Sequence, residues 1–517
     1  MDSAPPAEPA ASPARDLGLA SPAEVDPLAG RFSFTGSLGT RVARGTLINT
    51  AFMVGLGALA LLEGFILARF LSRSDYGLWG IMAASLSTLV WFKQAGIGDR
   101  FVQQNEADQE RAFQVAFTLE VILTLACVLV VLVAIPALVA IYDLPRLVAP
   151  IVAVAGALMI SVFQAPMWVY YRRMEFGRER ALAAIDPVVG FAVAVALAAL
   201  GAGYWAFVGG LCAGACAASA AAAWVSPYKL RLRRPRGALR GYLSFSGPLL
   251  LAGGTTFVMV WSALIAAKVS LGVAAVGVIA LADNVSSFSE RVDDVVTGAL
   301  YPAICAVRDR LPVLYESFVK SNRLALMWAV PFGVGLTLFA SDLVRYGIGE
   351  RWRPAVVVLQ LFGIAAAINH IGFNWTAYLR ALNRTGPIAI AAVAATATFL
   401  AVGIPLLLLI GLRGFAVGIL AQGVAALIVR IFYLRRVFPA FQFVGHALRS
   451  FVPAILAAGV TLALRAVESG SRTLGIALAE LGVFVLVTVA ASWYLESDLV
   501  REAAGYVVDR SASPAVR

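Results

Sequence analysis

The sequence predicts an all-α, polytopic membrane protein with about fourteen transmembrane helices. Hydrophobic residues make up 60% of its 517 residues and charged residues 14%, a composition too apolar for an ordinary soluble globule. The apolar residues occur in repeated blocks of about twenty, long enough at about 1.5 Å per residue to cross a hydrocarbon core of about 30 Å. The chain therefore requires lipid as its solvent.

Apolar windows between charged, proline or glycine breaks place the spans in order along the chain. A first group of six lies near residues 46–70, 77–98, 112–141, 147–170, 181–200 and 204–225. A second group of six lies near residues 245–267, 274–304, 324–346, 355–379, 387–410 and 414–434. Two further spans, near residues 450–466 and 474–494, complete the count.

These spans divide the chain into five regions. Residues 1–40 are rich in Ala and Pro and lack an apolar core, so they are predicted to form a disordered cytoplasmic tail and not a signal peptide. The N-terminal six-helix lobe covers residues 41–240 and the C-terminal six-helix lobe covers residues 241–440. Transmembrane helices 13 and 14 fall within residues 441–496, and residues 497–517 form a second cytoplasmic tail.

The basic residues predict which side of the membrane each loop faces. With fourteen spans, the loop set that contains both termini holds roughly 29 Lys and Arg, against roughly 10 in the opposite set. Both termini are therefore predicted to be cytoplasmic. The basic residues lie in short separate loops and form no single basic face, which disfavours nucleic-acid binding despite the net charge of +11. Short loops on the opposite side also disfavour a membrane-embedded polysaccharide polymerase or ligase.

A local match between the two six-span groups indicates a parallel duplication. The segment LARFLSRSDYGLWGI from Leu67 resembles AAKVSLGVAAVGVIAL from Ala266, with Gly77 matching Gly277 within one residue. A duplication of this kind sets the two halves face to face about an axis along the membrane normal, with substrate bound between them.

A second match lies about two hundred residues apart in the same two groups. The segment YYRRMEFGRERA from Tyr170 resembles YLRALNRTGPIA from Tyr378. Both segments follow an apolar span and lead into the next one. The two groups are therefore predicted to share their internal construction, although short matches in an Ala-rich chain also arise by chance.

The eighth span carries the densest polar sequence within the predicted membrane region. A charge that faced lipid there would cost at least ~2.5 to 3.5 kcal/mol. At about 100° per residue, its polar side chains share half of the helix circumference, and this face is predicted to line a water-filled central cavity. Mutual pairing in a packed bundle is the alternative, but four carboxylates against one Arg leave excess negative charge. The polar residues are Asp283, Asn284, Ser286, Ser287, Glu290, Arg291, Asp293, Asp294 and Thr297.

Additional intramembrane polar residues are candidates for the same cavity. Glu63 in span one and Glu120 in span three are predicted to line it, with packing in protonated form as the competing interpretation. Asn369 and His370 in span ten can form a second polar site, and a histidine can titrate near neutral pH. A lone histidine is more often a hydrogen-bonding residue. The predicted substrate cavity thus comprises Arg291, Asp283, Asn284, Ser287, Glu290, Asp294, Glu63, Glu120, Asn369 and His370.

The sequence contains no motif for a tightly bound cofactor. It has no Walker A sequence, zinc-ligand cluster, or redox or haem motif, so we expect no catalytic residues and no cofactor. A transporter without ATP hydrolysis must use the substrate's own gradient or an ion gradient. H⁺ and Na⁺ are the candidate coupling ions.

Four segments resemble the Wzx-type polysaccharide flippases of the MOP superfamily. They are LARFLSRSDYGLWG at Leu67, RRMEF at Arg172, YPAICAVRD at Tyr301 and GERWRPAVVVLQLFGI at Gly349. The resemblance implies two six-helix lobes around a V-shaped cavity of alternating access, with two extra C-terminal helices. It also implies a location in the bacterial inner membrane.

The implied substrate is an undecaprenyl-pyrophosphate-linked oligosaccharide, moved to the periplasmic leaflet for surface polysaccharide, exopolysaccharide or O-antigen of lipopolysaccharide. A polysaccharide polymerase and chain-length machinery would then be partners. The acidic central face departs from what a pyrophosphate requires, and Arg291 is the base expected to meet the headgroup. Acidity also keeps open a MATE-type cation or multidrug antiporter. The same architecture fits a lipid II flippase, and a structural role is a further hypothesis from a different class.

Overall fold

The computed structural model describes residues 38–508 except 94–96, 105, 174, 234–237, 383, 385 and 469. Within its helices, side chains are not described at 38–50, 89–93, 99–100, 103, 238–253, 256, 290–303, 305–306, 444, 446, 498, 500 and 502–508. Every regular element in the described part of the chain is a helix, which confirms the predicted all-α class.

Eighteen α-helices run in chain order through the described residues. The first nine are α1 (Leu38–Phe70), α2 (Arg73–Lys93), α3 (Ile97–Gln103), α4 (Gln109–Tyr142), α5 (Val148–Ile160), α6 (Met167–Arg172), α7 (Phe176–Ala199), α8 (Trp205–Trp224) and α9 (Ala238–Leu271). The other nine are α10 (Val273–Ala306), α11 (Leu311–Asp342), α12 (Ala355–Asn369), α13 (Trp375–Ala381), α14 (Gly386–Thr398), α15 (Ile404–Ile410), α16 (Leu412–Val437), α17 (Phe443–Val467) and α18 (Leu474–Val508).

Ten helical segments of the described chain are long and apolar enough to cross a membrane. Three shorter apolar stretches, Phe257–Leu271, Val273–Ser289 and Ala355–Asn369, fall within the seventh, eighth and tenth predicted spans. The chain is therefore a multi-pass membrane protein. The count of fourteen spans stays a prediction, because polar faces and breaks interrupt some of the predicted spans.

Both ends of the described chain are more helical than the sequence predicts. Helix α1 begins at Leu38, inside the segment assigned to the N-terminal tail. Helix α18 continues to Val508, beyond the predicted start of the second tail at residue 497. It is interrupted at Glu496, whose φ of −130° and ψ of 23° are not helical. The predicted tail boundary thus coincides with a kink, after which the chain remains helical.

The fourth and tenth predicted spans are each interrupted by a turn, at equivalent positions within the span. A 3₁₀ turn at Ser161–Gln164 separates α5 from α6, and a turn at residues 370–374 separates α12 from α13. Tyr170 lies on the short helix after the first break and Tyr378 on the short helix after the second. The two segments that match in sequence therefore occupy equivalent places in their halves, as a duplication predicts.

An ion-pair network attaches the last two helices to α11. Arg472, in the loop between α17 and α18, donates to Asp342 Oδ2 at 2.6 Å and to Glu480 Oε2 at 2.7 Å. Arg465 on α17 donates to the same Glu480 oxygen at 2.9 Å. Both carboxyl side chains are about nine-tenths buried or more. Opposite charges in this setting compensate one another and hold α17 and α18 against the core.

A second ion pair joins the same helices farther along the bundle. Arg323 on α11 donates to Glu496, at the kink in α18. The Glu496 side chain is 7% exposed and the Arg323 side chain 20% exposed. Because Arg323 and Asp342 lie on different turns of α11, the two clusters attach α18 at separate heights.

Candidate functional site

Helices α2 and α10, one from each predicted half, meet at a backbone contact. A Cβ atom on Gly77 would lie 2.0 Å from the carbonyl oxygen of Val273, and a Cβ on Gly277 would lie 1.9 Å from that of Arg73. No side chain fits at such distances, so glycine is required for this approach. Each glycine thus meets the carbonyl four residues before its counterpart, and the offset of 200 is the same in both directions. The two glycines that match in sequence thus form a near-two-fold contact.

The close contact extends along α10 by two further turns. A Cβ on Gly80 would lie 2.9 Å from the methyl group of Ala280, and one on Gly64 of α1 would lie 2.8 Å from Asn284 Oδ1. The clash at Gly80 is with a side chain, and the clash at Gly64 is with the end of an amide. Packing is therefore tightest at the start of the two helices and less strict deeper along them.

The segment LARFLSRSDYGLWG builds the turn that leads into this contact. Ser72 and Asp75 form a capping box, in which the Ser72 N–H donates to Asp75 Oδ2 at 3.1 Å and the Asp75 N–H donates to Ser72 Oγ at 3.1 Å. The Tyr76 hydroxyl donates to the Gly64 carbonyl at 2.5 Å. These bonds fix the start of α2 against α1, which positions Gly77 for its contact with α10.

A tryptophan from the second half closes the same end of the bundle. The indole N–H of Trp352 donates to the Ala68 carbonyl at 2.8 Å, and Arg351 donates to the Arg69 carbonyl. The rings of Trp352 and Tyr76 pack edge to face with centroids 5.0 Å apart. We call this region, formed by residues 67–80, 272–280 and 349–352, the sealed end.

Beyond the sealed end, α10 presents a polar face at mid-helix. Asp283 and Asn284 are exposed and Ser287 is partly exposed, whereas Leu281 and Val285 on the opposite face are buried. The amphipathic division predicted for this span is thus observed over residues 281–287. The side chains of Glu290, Arg291, Asp293, Asp294 and Thr297 lie outside the described residues, so their place on this face stays a prediction.

Two other predicted cavity residues lie on the N-terminal half. Glu63 is partly exposed on α1, directly before Gly64, and the Gly64 position faces Asn284. The structure therefore places α1 against α10 at Gly64 and Asn284, and Glu63 directly precedes this contact in the chain. Glu120 on α4 is only 7% exposed, so its side chain is enclosed by protein.

Asn369 and His370 lie at the break between α12 and α13, where backbone groups leave the helical pattern. The ring of His370 is 2% exposed, with Nδ1 2.6 Å from the Ala366 carbonyl oxygen. The Asn322 side chain bonds to two backbone groups of the turn. Its amide N–H donates to the His370 carbonyl at 3.0 Å, and its oxygen accepts from the Gly372 N–H at 3.0 Å. These bonds satisfy backbone groups freed by the break, as a membrane interior requires. A part for His370 in substrate binding stays a prediction.

Sequence reasoning missed Gly64, Gly80 and Trp352 as parts of the sealed end. The signal for Gly80 was available, because Ala280 lies 200 residues on, at the offset that relates Gly77 to Gly277. Trp352 stood inside the GERWRPAVVVLQLFGI segment without an assigned role. Trp352 follows Ala68, its hydrogen-bond partner, by 284 residues, and no local sequence pattern predicts such a pair.

A family model shows the family of the chain, and solved structures show its fold. The family model described as "Polysaccharide biosynthesis protein" matches residues 66–357, more than half of the chain. A solved structure of lipid II flippase MurJ, in an inward closed conformation, is similar with a TM-score of 0.64 and 12% identity, covering 88% of this chain and 99% of that one. An inward-facing MATE-family multidrug resistance transporter of the MOP superfamily gives 0.61 and 14%, covering 76% and 98%. A search of curated protein sequences finds no match.

Proposed function

Because the chain belongs to the family of polysaccharide biosynthesis proteins, we propose that it moves a lipid-linked oligosaccharide across the bacterial inner membrane by alternating access. The observation that best supports this proposal is the sealed end, where α2 and α10 meet through glycine and backbone contacts next to an exposed polar face of α10. A path that is closed at one end and polar at mid-membrane suits a carrier that opens to one side at a time. The proposed substrate class is an undecaprenyl-pyrophosphate-linked oligosaccharide.

The polar face of α10 supports this substrate on physical grounds. A sugar crossing hydrocarbon would lose its hydrogen bonds to water, so the protein must supply polar partners at membrane depth. Asp283, Asn284 and Ser287 offer carboxylate, amide and hydroxyl groups there. In the proposal the oligosaccharide occupies this face while the polyprenyl chain stays in lipid, and Arg291 meets the pyrophosphate.

The sealed end supports the proposed transport cycle. In the predicted orientation both termini are cytoplasmic, so the sealed end faces the periplasm and the described conformation is closed on that side. Opening requires that α2 and α10 separate. A contact built from glycine and alanine can separate without breaking salt bridges, and the reciprocal register allows it to close again in one position.

Ion coupling is the proposed energy source, with Asp283 and Glu63 as the acidic groups. Protonation or Na⁺ binding at these carboxylates would change the charge of the cavity and so favour one opening over the other. Asp283→Asn is expected to alter the pH or Na⁺ dependence of transport in reconstituted vesicles. Unchanged dependence on both ions would remove Asp283 from the coupling mechanism.

Two related functions compete with this proposal because of specific observations. The exposed Asp283 and nearby Glu63 suit an organic cation, which a MATE-type antiporter would carry. The similarity to lipid II flippase MurJ covers 88% of the chain, which suits a peptidoglycan precursor. All three substrates require the same alternating opening, so they are distinguished by what accumulates when the protein is lost.

The deciding experiment is deletion of the gene, with quantification of lipid-linked intermediates and surface polysaccharide. Accumulated undecaprenyl-linked repeat units with lost surface polymer, both restored by the wild-type gene, are the expected result. Accumulated lipid II would assign the peptidoglycan precursor. Normal levels of both intermediates with raised sensitivity to cationic dyes would overturn the proposal in favour of the multidrug antiporter.

A further inference from the structure

A second cavity, of about 1250 Å³, lies on the outer face of the sealed end. Residues of α10, of the segment 341–357 and of the connection between α15 and α16 form its walls. Five arginines line it against a single acidic residue, Glu350: they are Arg73, Arg345, Arg351, Arg353 and Arg413. We call it the arginine cavity. None of its arginines belongs to the polar face of α10.

The arginine cavity concentrates positive charge on the side of the membrane that is predicted to hold few basic residues. The side of the membrane to which these residues are assigned holds roughly 10 Lys and Arg in total, as expected for an external face. Half of that number surrounds one cavity. A random scatter of external arginines would not converge in this way, and each added guanidinium raises the cost of leaving the others without counter-charge.

The arginines of the cavity differ from their neighbours in how their charge is compensated. Arg465 and Arg472 lie at the same end of the bundle and both pair with Asp342 and Glu480. Among the described residues, the five arginines of the cavity form no ion pair with a carboxylate. Glu350 lines the wall without pairing with any of them. The net positive charge is therefore available to an external anion.

The rim of the arginine cavity is apolar on the side of α9 and α15. Leu271 is 41% exposed and Ile410 is 56% exposed, and both line the cavity. The adjoining Leu409 is 79% exposed. Exposed leucine and isoleucine at the end of a membrane-spanning helix are suited to contact acyl chains. A cationic interior beside such an apolar edge fits an amphiphile with an anionic head.

We propose that the arginine cavity binds phosphate or pyrophosphate groups, presented by lipid headgroups of the outer leaflet. Guanidinium groups bind phosphate oxygens in bidentate fashion, and several converging on one volume suit a doubly charged head. This site is separate from the central path and does not depend on the transported substrate. The same guanidinium groups would also bind free pyrophosphate, so the experiment must separate a lipid headgroup from a free anion.

The test measures binding by the purified full-length protein in nanodiscs of uncharged lipid. Inorganic pyrophosphate, titrated by calorimetry, is expected to bind the wild-type protein with an affinity that falls as salt rises. The variant Arg345→Ala/Arg353→Ala is expected to bind at least about ten-fold more weakly, which is the loss of about 1.4 kcal/mol. Glu350→Gln, which removes the acidic wall, is expected to bind more tightly.

Arg146→Ala provides the matched control. Arg146 is exposed in the turn between α4 and α5, at the same end of the bundle, and does not line the cavity. Its loss is expected to leave pyrophosphate binding unchanged. Absence of binding to the wild-type protein, or equal weakening in Arg146→Ala and in the double variant, overturns the proposal.

The source of the anion is assigned by a lipid arm of the same experiment. Native mass spectrometry of the protein with phosphatidylglycerol is expected to show bound lipid that the double variant loses and an uncharged diacylglycerol does not replace. That outcome assigns the lipid headgroup. Pyrophosphate binding without retained phosphatidylglycerol would assign a free phosphate anion and contradict the lipid part of the proposal.

Discussion

Two helix contacts in this protein use opposite chemistry: α2 against α10 at the sealed end, and α17 and α18 against α11. The first closes through glycine, alanine and backbone carbonyls, with Gly77 and Gly277 in reciprocal contact. The second closes through buried ion pairs centred on Asp342 and Arg323. A contact of small residues gives a close fit that can be broken at low cost, whereas a broken buried ion pair leaves charge in a low dielectric. In the proposed transport cycle the first contact opens and the second persists, and the chemistry of each contact suits that role.

The largest expected effect follows from filling the sealed end. In Gly277→Val the new side chain meets the Arg73 carbonyl, which lies 1.9 Å from the Cβ position and belongs to the backbone. Overpacking of this kind costs about 1–3 kcal/mol, which shifts the ratio of sealed to open states by roughly 5- to 150-fold. We expect loss of surface polysaccharide in cells, with the protein still inserted at wild-type levels.

Gly156→Val is the control, because a Cβ on Gly156 of α5 meets nothing within 4 Å. It is expected to transport normally. The position of the seal is measured in an otherwise cysteine-free chain with Asn284→Cys, which a membrane-impermeant thiol reagent should label from the periplasm only when Gly277→Val is present. Equal labelling with and without Gly277→Val would show that this contact does not close the path.

The ion-pair contact is expected to affect stability instead of transport geometry. Asp342→Asn removes one of three carboxylates, the others being Glu468 and Glu480, from the cluster with Arg465 and Arg472. Hydrogen bonds to Asp342 and Glu480 raise the pKa of Arg472 above its ordinary value. Because a guanidinium is protonated at neutral pH even without these partners, Arg472 stays charged when Asp342 is lost. We expect a loss of about 2–3 kcal/mol in the free energy of unfolding, below the ~3–5 kcal/mol of a fully buried pair since both arginines are 24% exposed.

Glu316→Gln is the matched control on the same helix. Glu316 pairs with Lys320 across one turn, with side chains 63% and 38% exposed. Denaturation in mixed detergent micelles is expected to show a change of no more than about 0.5 kcal/mol for this exposed pair. If Asp342→Asn were no more damaging than Glu316→Gln, the network would not be what attaches α17 and α18.

A smaller effect is expected from the interaction between Arg323 and Glu496 alone. Removing either partner leaves the other charge uncompensated, so the pairwise energy must come from a double-mutant cycle of Arg323→Met and Glu496→Gln. We expect a coupling of about 1–2 kcal/mol, measured by the same denaturation. Zero coupling would mean that the kink at Glu496 holds α18 without help from the ion pair.

The sequence predicted much of the fold because lipid imposes strong patterns on it. Apolar length placed the helices, and the match of Gly77 to Gly277 anticipated a contact that the structure places in register. The polar face at Asp283 and Asn284 followed from helical periodicity. These features depend on neighbours along the chain or on a fixed repeat, which a single sequence displays.

The remaining features depend on partners distant in sequence. No residue near Asp342 in the sequence shows that Arg472 will neutralise its charge. Trp352 and Ala68 are likewise 284 residues apart. Asn369 and His370 were predicted as a polar site because polarity at membrane depth suggests function, and the structure encloses His370 beside a helix break where Asn322 satisfies the backbone of the turn. Sequence alone does not distinguish a polar group that serves substrate from one that serves backbone.

The smallest expected effect comes from Gly80, which meets a side chain where Gly77 and Gly277 meet backbone carbonyls. In Gly80→Ala the new methyl group lies 2.9 Å from the methyl group of Ala280, which is fixed to its Cα, so α2 and α10 must move slightly apart; this overlap is smaller than the one at Gly277, where a Cβ lies 1.9 Å from a carbonyl oxygen. We expect transport to fall by no more than about five-fold, corresponding to about 1 kcal/mol. Adding Ala280→Gly should restore the space and with it the transport rate, measured as surface polysaccharide per unit of protein. A double variant no better than Gly80→Ala would contradict a direct contact between these positions, whereas recovery would show that the fit between α2 and α10 sets how readily the path closes.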